Sequence, residues 1–209
     1  MGRFNYAFRK KNVYFDARNF SIIESCRLYK EPDHIDKLIA GCKKDDRRAQ
    51  EQLYRSFYGS MIVLCVRYTK NETDAKAVLN TGFLKVFKNI EKYNPQKATL
   101  YTWIRTIIIN ACIDHVNLKQ VKTTPLELDE TTAIHTEAEA NAKMNAGEIL
   151  HLIRNLPSAT RAVFNLFTVD GYGHKEIASL LQISEGTSKW HLSEARKILK
   201  VQIQNKTYK

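Results

Sequence analysis

The chain has 209 residues, of which 44% are hydrophobic, and a formal net charge of +11 at pH 7. Its length allows one or two domains, and its scarcity of Gly and Pro favours helices over a turn-rich β architecture. The charge indicates a polyanionic partner. No cysteine lies in a C-x-x-C pair, which argues against a metal site and favours reduced thiols. No signal-peptide pattern or bilayer-spanning apolar run is found, so we expect a cytoplasmic protein without membrane insertion.

Residues 1–33 form a basic, aromatic N-terminal extension. Seven Lys and Arg residues oppose two acidic residues within 1–30, and seven Phe and Tyr residues are interleaved with them. Such a mixture can bind nucleic acid or dock on a partner. The alternative is a poorly ordered leader, and the residues leave both open.

Residues 34–118 are predicted to form a helical domain. Apolar residues recur at helical spacing through most of this range. Asp74 and Thr99 are the expected N-caps of two of its helices, because their side-chain oxygens can accept free backbone N–H groups.

Residues 119–148 differ in character from the segments on either side. Three Lys residues oppose six acidic residues, and large apolar side chains are few. This composition predicts a flexible acidic linker. Residues 149–209 are then a second, basic domain.

A pair of short helices within the second domain is predicted from residues 170–197. Ser184 is a good N-cap for the second helix of the pair. Its apolar seam is thin, and Lys, Ser and Trp side chains fall on the other faces, an arrangement that suits the DNA major groove. An ordinary helical hairpin with a solvated basic face is the alternative. The expected seam residues are Ser188, Leu192, Ala195 and Leu199.

No pattern typical of catalysis stands out. The six His residues are scattered without the i,i+4 spacing of a helical zinc site. A phosphate-cradling Gly loop and a nucleophile elbow are also missing from the sequence. We therefore expect no enzyme activity, no cofactor and no metal.

Two blocks of short motifs resemble the two domains of extracytoplasmic-function sigma factors of bacterial RNA polymerase, in the sigma-70 family. They cover most of residues 35–203 in the order that the family shows. The first block consists of 49–58, 74–75, 82–88, 102–105 and 110–111, and the second of 156–157, 163–164, 171–172, 176–178, 183–187 and 195–197.

The resemblance implies an all-α chain with two small domains and a helix-turn-helix in the second. The first domain would bind the largest subunits of core RNA polymerase and open the minus-ten element of promoter DNA. The second would read the minus-thirty-five element as duplex. The acidic linker would run through the polymerase cleft, and an anti-sigma factor often covers both domains in such proteins.

Candidate site residues follow from matching these tasks to the sequence. Melting needs basic side chains for phosphates and stacking platforms for flipped bases, although Trp103 also has the spacing of a core residue. The candidates for minus-ten binding and melting are Lys97, Thr99, Tyr101, Thr102, Trp103, Arg105, Thr106 and Asn110. Those for the minus-thirty-five element are Ser184, Thr187, Lys189, Trp190, Ser193, Arg196 and Lys197. Those for polymerase binding are Asp74, Asn80, Phe83, Leu84, Lys85, Phe87 and Lys88.

The sequence departs from the family pattern in two places. Residues 76–81 lack the acidic residues that the family carries there, and Glu194 stands where a basic residue is common. Both changes would suit a factor that an accessory DNA-targeting protein brings to its promoter. A helix-turn-helix regulator with lost or altered polymerase binding, reliant on a partner for targeting, is the alternative function. A nuclease or other hydrolase acting on nucleic acid is disfavoured by the missing metal pattern.

Overall fold

The computed structural model describes residues 34–122 and 146–207, and within these ranges every regular element is a helix. The all-α fold expected from the sequence is thereby confirmed for the described residues. The first range is an N-terminal unit of α1 (Ile35–Lys43), α2 (Arg47–Tyr68), α3 (Glu72–Asn89), a 3-10 turn (Ile90–Lys92) and α4 (Leu100–Lys122). The second is a C-terminal unit of α5 (Ala146–Arg154), α6 (Ser158–Phe164), a π-helical segment (Asn165–Val169), α7 (His174–Leu181) and α8 (Glu185–Thr207).

The N-terminal extension and most of the expected linker lie outside the described residues. At the edges of the linker, α4 continues past residue 118 to Lys122, and α5 begins at Ala146. These two helices therefore reach into the range 119–148 from both sides.

Side-chain caps set the starts of several helices, among them α3, α4 and α8. Thr99 and Ser184 each accept a hydrogen bond from the backbone N–H three residues further on, at 3.2 and 2.9 Å, as predicted. The prediction that Asp74 caps α3 is wrong, because Asn71 accepts the backbone N–H of Asp74 at 2.7 Å and α3 begins at Glu72. Asn71 has the extended backbone typical of an N-cap, and Asp74 lies in the first turn, where its charge favours the helix dipole.

The core of the N-terminal unit lies between α2, α3 and α4. Each of these helices turns one apolar stripe inward, and burial of each large apolar side chain stabilises the fold by about 1.5–3 kcal/mol. Cys42, Cys65 and Cys112 are buried, free thiols in this core. The largest buried apolar residues include Leu53, Phe57, Met61 and Leu64 of α2, Leu79, Phe83 and Val86 of α3, and Ile104, Ile108 and Ile109 of α4.

The C-terminal unit packs α6 and α7 against α8. The predicted seam of α8 is confirmed, since Ser188, Leu192, Ala195 and Leu199 are all buried. Gln182 ends α7 with a left-handed backbone (φ 55°), which redirects the chain towards α8. The two helices thus form the expected helix-turn-helix pair.

The two units contact one another. Helices α2 and α4 of the N-terminal unit lie against α5, α6 and α7 of the C-terminal unit. The polar contacts between the units include a buried cluster around Asp170, described below.

Candidate nucleic-acid interfaces

An exposed polar row runs along the first half of α4. Thr102, Thr106 and Asn110 follow one another at four-residue steps and are exposed, with Lys97 and Thr99 exposed just before the helix. The hydroxyl of Thr106 donates to the carbonyl oxygen of Thr102 at 2.9 Å, and the Oγ1 atoms of Thr99 and Thr102 are 3.0 Å apart. The row offers hydroxyl and amide groups, with a lysine at one end, to a ligand lying along the helix.

Two aromatic residues predicted beside this row are partly buried supports. The ring of Trp103 packs against that of Tyr93 with centroids 5.4 Å apart, and the ring of Tyr101 stacks on that of Phe57 at 6.4 Å. Both residues also pack against the hydrophobic core. In this conformation they hold the start of α4 in place.

Arg105, the remaining residue predicted for minus-ten binding, is engaged within the protein. Its Nη2 atom lies 2.5 Å from the Oδ1 atom of Asp170 in the C-terminal unit, and 23% of its side chain is exposed. Sequence patterns missed this partner, because Asp170 precedes Gly171 and has the look of an ordinary turn residue.

Helix α8 presents a polar face opposite its buried seam. Its first turn is held by Ser184, whose Oγ atom is 2.8 Å from the Oγ1 atom of the partly buried Thr187. The other five candidate DNA contacts lie along the following turns and are all exposed. They are Lys189, Trp190, Ser193, Arg196 and Lys197.

Trp190 is the most exposed aromatic ring on this face. Its side chain is 59% exposed and meets the ring of His191 edge-on, with centroids 4.9 Å apart. Arg196 is less free than the lysines, because its guanidinium lies 6.0 Å from the ring centre of Phe167. Lys189 and Lys197 are therefore the better candidates for contacts with DNA.

Two neutral histidines join α8 to the helices packed against it, His174 from α7 and His191 from α8 itself. The Nδ1 atom of His174 lies 2.9 Å from the Oγ atom of Ser188, and that of His191 lies 3.0 Å from the Oγ1 atom of Thr160. Burial lowers the pKa of both imidazoles, and Lys189 and Arg196 lower the pKa of His174 further. At neutral pH the positive charge of this face therefore comes from Lys and Arg.

The candidate polymerase surface is the outer face of α3. Asn80, Leu84 and Lys88 follow one another at four-residue steps and are exposed, with 61% of Leu84 accessible to solvent. Lys85 is paired with Asp114 of α4 at 2.5 Å. This face of α3 thus presents an exposed apolar side chain and an exposed basic side chain one turn apart.

The other three residues predicted for polymerase binding have different places. Phe83 is 2% exposed and lies in the core, where it contacts the partly buried ring of Phe87 at 6.0 Å. Asp74 is partly buried, with its Oδ2 atom 3.7 Å from the Nε2 atom of His115. Phe83 and Phe87 thus set the position of the surface from below.

Among the residues that the structure describes, no group of three or more His, Cys, Asp or Glu residues is placed to hold a metal ion. Within the same residues, no helix is both long and apolar enough to cross a membrane.

Comparison with known protein families gives two matches. The family model described as Sigma-70 region 2 matches residues 53–120, and that described as Sigma-70, region 4 matches residues 146–199. The first match covers α4 as far as residue 120, with its polar row, and the second covers α7 and α8 as far as residue 199.

Individual relatives at low sequence identity include proteins named as RNA polymerase sigma factors. The chain is 25% identical over 162 residues to the ECF RNA polymerase sigma factor SigM of Mycobacterium tuberculosis, covering 77% of this chain and 80% of that protein. It is 23% identical over 183 residues to the ECF RNA polymerase sigma factor SigW of Bacillus subtilis, covering 82% and 97%. A solved structure, the sigma factor RpoE with the anti-sigma factor NepR from Bartonella quintana, aligns with a TM-score of 0.47 and 17% identity over 74% and 96% of the two chains.

Proposed function

The chain belongs to the sigma-70 family, as a sigma factor of the extracytoplasmic-function type, and on that premise we propose how its two units share the work of transcription initiation. As an alternative sigma factor it directs core RNA polymerase to promoters. We assign polymerase binding and the minus-ten element to residues 34–118 and the minus-thirty-five element to residues 149–209. Residues 119–148 link these domains, and residues 1–33 extend the first.

One observation carries the proposal: each unit presents an exposed polar or basic row on a rigid helix. On α4 the row is Thr102, Thr106 and Asn110, and on α8 it is centred on Lys189 and Lys197. Hydroxyl and amide side chains of this kind donate hydrogen bonds to the phosphate and sugar oxygens of a nucleic-acid strand. A basic helix face backed by a buried seam suits duplex in the major groove.

The α3 surface around Leu84 is assigned to core polymerase. An exposed leucine beside Lys88 offers a partner apolar contact together with positive charge on one helix face. The chain would then work in the cytoplasm, where the polymerase is, and would contribute no catalytic step of its own. An anti-sigma factor and an accessory targeting protein remain predictions from the family resemblance.

Run-off transcription with core polymerase tests the proposal. Promoters are first mapped by chromatin sequencing, and the same templates are transcribed with and without the chain. We expect defined start sites only when the chain is present. If core polymerase neither retains the chain nor changes its start sites, the proposed function is wrong.

A matched pair of variants separates melting from polymerase binding. Thr106→Ala removes a hydroxyl from the α4 row, and Ser56→Ala removes an exposed hydroxyl from α2 that makes the same bond to the carbonyl four residues earlier, at 2.8 Å. Permanganate reactivity of unpaired thymines reports melting. We expect Thr106→Ala alone to reduce it, while both variants bind core polymerase normally.

A further inference from the structure

A buried ion cluster joins the two units of the chain. The carboxylate of Asp170 is 0% exposed, and its Oδ1 atom lies 2.5 Å from Nη2 of Arg105 and 3.2 Å from Nη2 of Arg67. Its Oδ2 atom accepts the hydroxyl of Tyr68. Asp170 belongs to the C-terminal unit and these three partners to the N-terminal unit, so the cluster exists only while the units are in contact.

The three N-terminal residues form a site for one anion. Both guanidinium groups contact the same carboxylate oxygen, Oδ1 of Asp170. Arg67 is 1% exposed, and arginine does not lose its proton in proteins. Burial, with Asp170 next in effect, raises the pKa of Tyr68 well above its usual value, so its hydroxyl stays a donor. Removing the Asp170 carboxylate would take away the anion that Arg67, Tyr68 and Arg105 share.

The backbone around Asp170 is shaped to deliver its side chain to this site. Asp170 follows the π-helical segment Asn165–Val169, and its N–H donates to the carbonyl of Asn165 at 2.9 Å. Gly171 then takes a positive φ of 80°, which carries the chain away. Single π-helical turns of this kind often occur at functional sites, where they redirect a side chain.

Two further polar contacts cross between the units near the cluster. The side-chain amide of Asn165 donates to the carbonyl of Arg67 at 2.9 Å, and Nη2 of Arg154 donates to the carbonyl of Lys70 at 2.7 Å. The contact is thus built from several directed hydrogen bonds, and the second of these does not touch the anion site.

We propose that Asp170 is the internal ligand of an anion site formed by Arg67, Tyr68 and Arg105, and that its binding closes the free chain and withholds Arg105 from DNA phosphates. Arg105 lies beside Thr106 and one turn from Thr102 of the α4 row. Closure therefore neutralises the arginine of the surface to which we assign the minus-ten element. The effect on DNA rests on the proposed function, whereas closure itself does not.

Distance measurements test closure in the full chain. Dyes are attached at Lys44→Cys and Gln204→Cys, two exposed positions in different units, with Cys26→Ser so that the native thiols left are the buried ones. Asp170→Asn removes the negative charge with little change of shape. We expect energy transfer between the dyes to fall in this variant. Glu51→Gln is the control, because it breaks an exposed ion pair with Arg55 within one helix.

A second variant opens the chain without altering the anion site. Arg154→Ala removes the bond to the carbonyl of Lys70 and leaves Asp170 and its partners intact. We expect energy transfer to fall here too. If circular dichroism shows that Asp170→Asn does not fold, Arg154→Ala alone tests the proposal. Unchanged transfer in every folded variant would overturn the proposal.

Binding to a short fluorescent oligodeoxythymidine strand tests the effect on DNA. Apparent affinity rises with the fraction of open chain, so Asp170→Asn and Arg154→Ala should bind on the order of tenfold more tightly if about nine-tenths of the free chain is closed. Adding Arg105→Gln to Asp170→Asn should remove the gain. A contact that only stabilises the fold would lower the melting temperature and leave DNA affinity unchanged.

The outcomes separate this proposal from the proposed function. Opening without any gain in DNA affinity would overturn the masking of Arg105. Opening with a gain, in a chain that fails to support run-off transcription, would instead count against the sigma-factor assignment and leave the internal ligand in place.

Discussion

Gly82 of α3 lies against Ile108 of α4 so closely that a Cβ atom at position 82 would come within 2.4 Å of the Ile108 Cδ1 atom. Ile108 is fully buried, so its side chain cannot swing out of the way. Gly82→Ala should therefore push α3 and α4 apart and destabilise the N-terminal unit by about 1–3 kcal/mol, the usual cost of overpacking a core. Chemical denaturation of the full chain measures the change.

Gly59→Ala is the matched control for this prediction. Gly59 is an exposed residue inside α2, and no atom outside its own helix lies within 4 Å of a Cβ placed there. Because Ala favours the helix over Gly, this change should stabilise the chain by about 0.5–1 kcal/mol. If the two substitutions changed the free energy of unfolding equally, α3 and α4 would have room for a side chain at position 82.

Acid should weaken the C-terminal unit through two histidines. The folded state lowers the pKa of both His174 and His191 from the ordinary value of 6.5. Below pH 6.5 the unfolded chain binds more protons at these two imidazoles than the folded chain does. Their contribution to the free energy of unfolding is therefore fully present above pH 6.5 and falls as the pH drops below it. Thermal unfolding followed across this range should show the decline, and His191→Gln should make it shallower. A melting temperature independent of pH there would contradict the shift.

Local signals in the sequence predicted much of the helical framework. The N-caps Thr99 and Ser184 follow from hydroxyl chemistry next to an apolar repeat, and the buried seam of α8 follows from helical spacing. The choice between Asn71 and Asp74 as the cap of α3 could not be made this way. Both side chains can accept a backbone N–H, and only the extended backbone at Asn71 decides between them.

The cluster around Asp170 could not be predicted from local signals in the sequence. Its hydrogen-bonded side chains are separated by 65 to 103 positions in the chain, so no spacing rule links them. Arg67 lies at a core position of α2, where the helical spacing predicts an apolar residue. Burial of its charge is favourable only when the charge is paired, and the carboxylate of Asp170 pairs with it. Phe83 is a different case, because its helical spacing from Leu79 and Val86 indicates a core position and only the family resemblance assigns it to the polymerase surface.

Binding of the chain to core polymerase should depend on Leu84, the exposed leucine of α3. Leu84→Ser removes an apolar side chain that is 61% exposed, so the fold should change by no more than about 0.5 kcal/mol. Loss of an apolar contact at an interface should nevertheless weaken binding to core polymerase by at least about 1 kcal/mol. Fluorescence anisotropy of labelled chain titrated with core polymerase measures it.

Val201→Ser provides the comparison for Leu84→Ser. Val201 is 50% exposed on α8, in the other unit, and loses a similar apolar group. It should leave polymerase affinity unchanged. If Leu84→Ser binds as tightly as Val201→Ser, the α3 surface is not the contact, and the missing acidic residues at 76–81 become the better explanation of how this chain differs from its family.

Lys189 and Lys197 should have different roles on α8. Lys189 lies in the early part of the helix, five residues after the Ser184 cap, where base edges are usually reached, and Lys197 lies two turns further on. If Lys189 reads a guanine, Lys189→Ala should lose about 1–3 kcal/mol of discrimination at one base pair. Lys197→Ala should weaken binding to all duplexes alike and reduce its salt dependence by about one phosphate contact.

Leu192→Asp, which places a charge in the seam, should unfold the unit and serves as the fold control. Binding to a panel of single-base promoter variants at two salt concentrations decides the matter. An even loss across the panel for Lys189→Ala would make Lys189 a phosphate contact. No duplex preference in the unmodified chain would leave targeting to another protein.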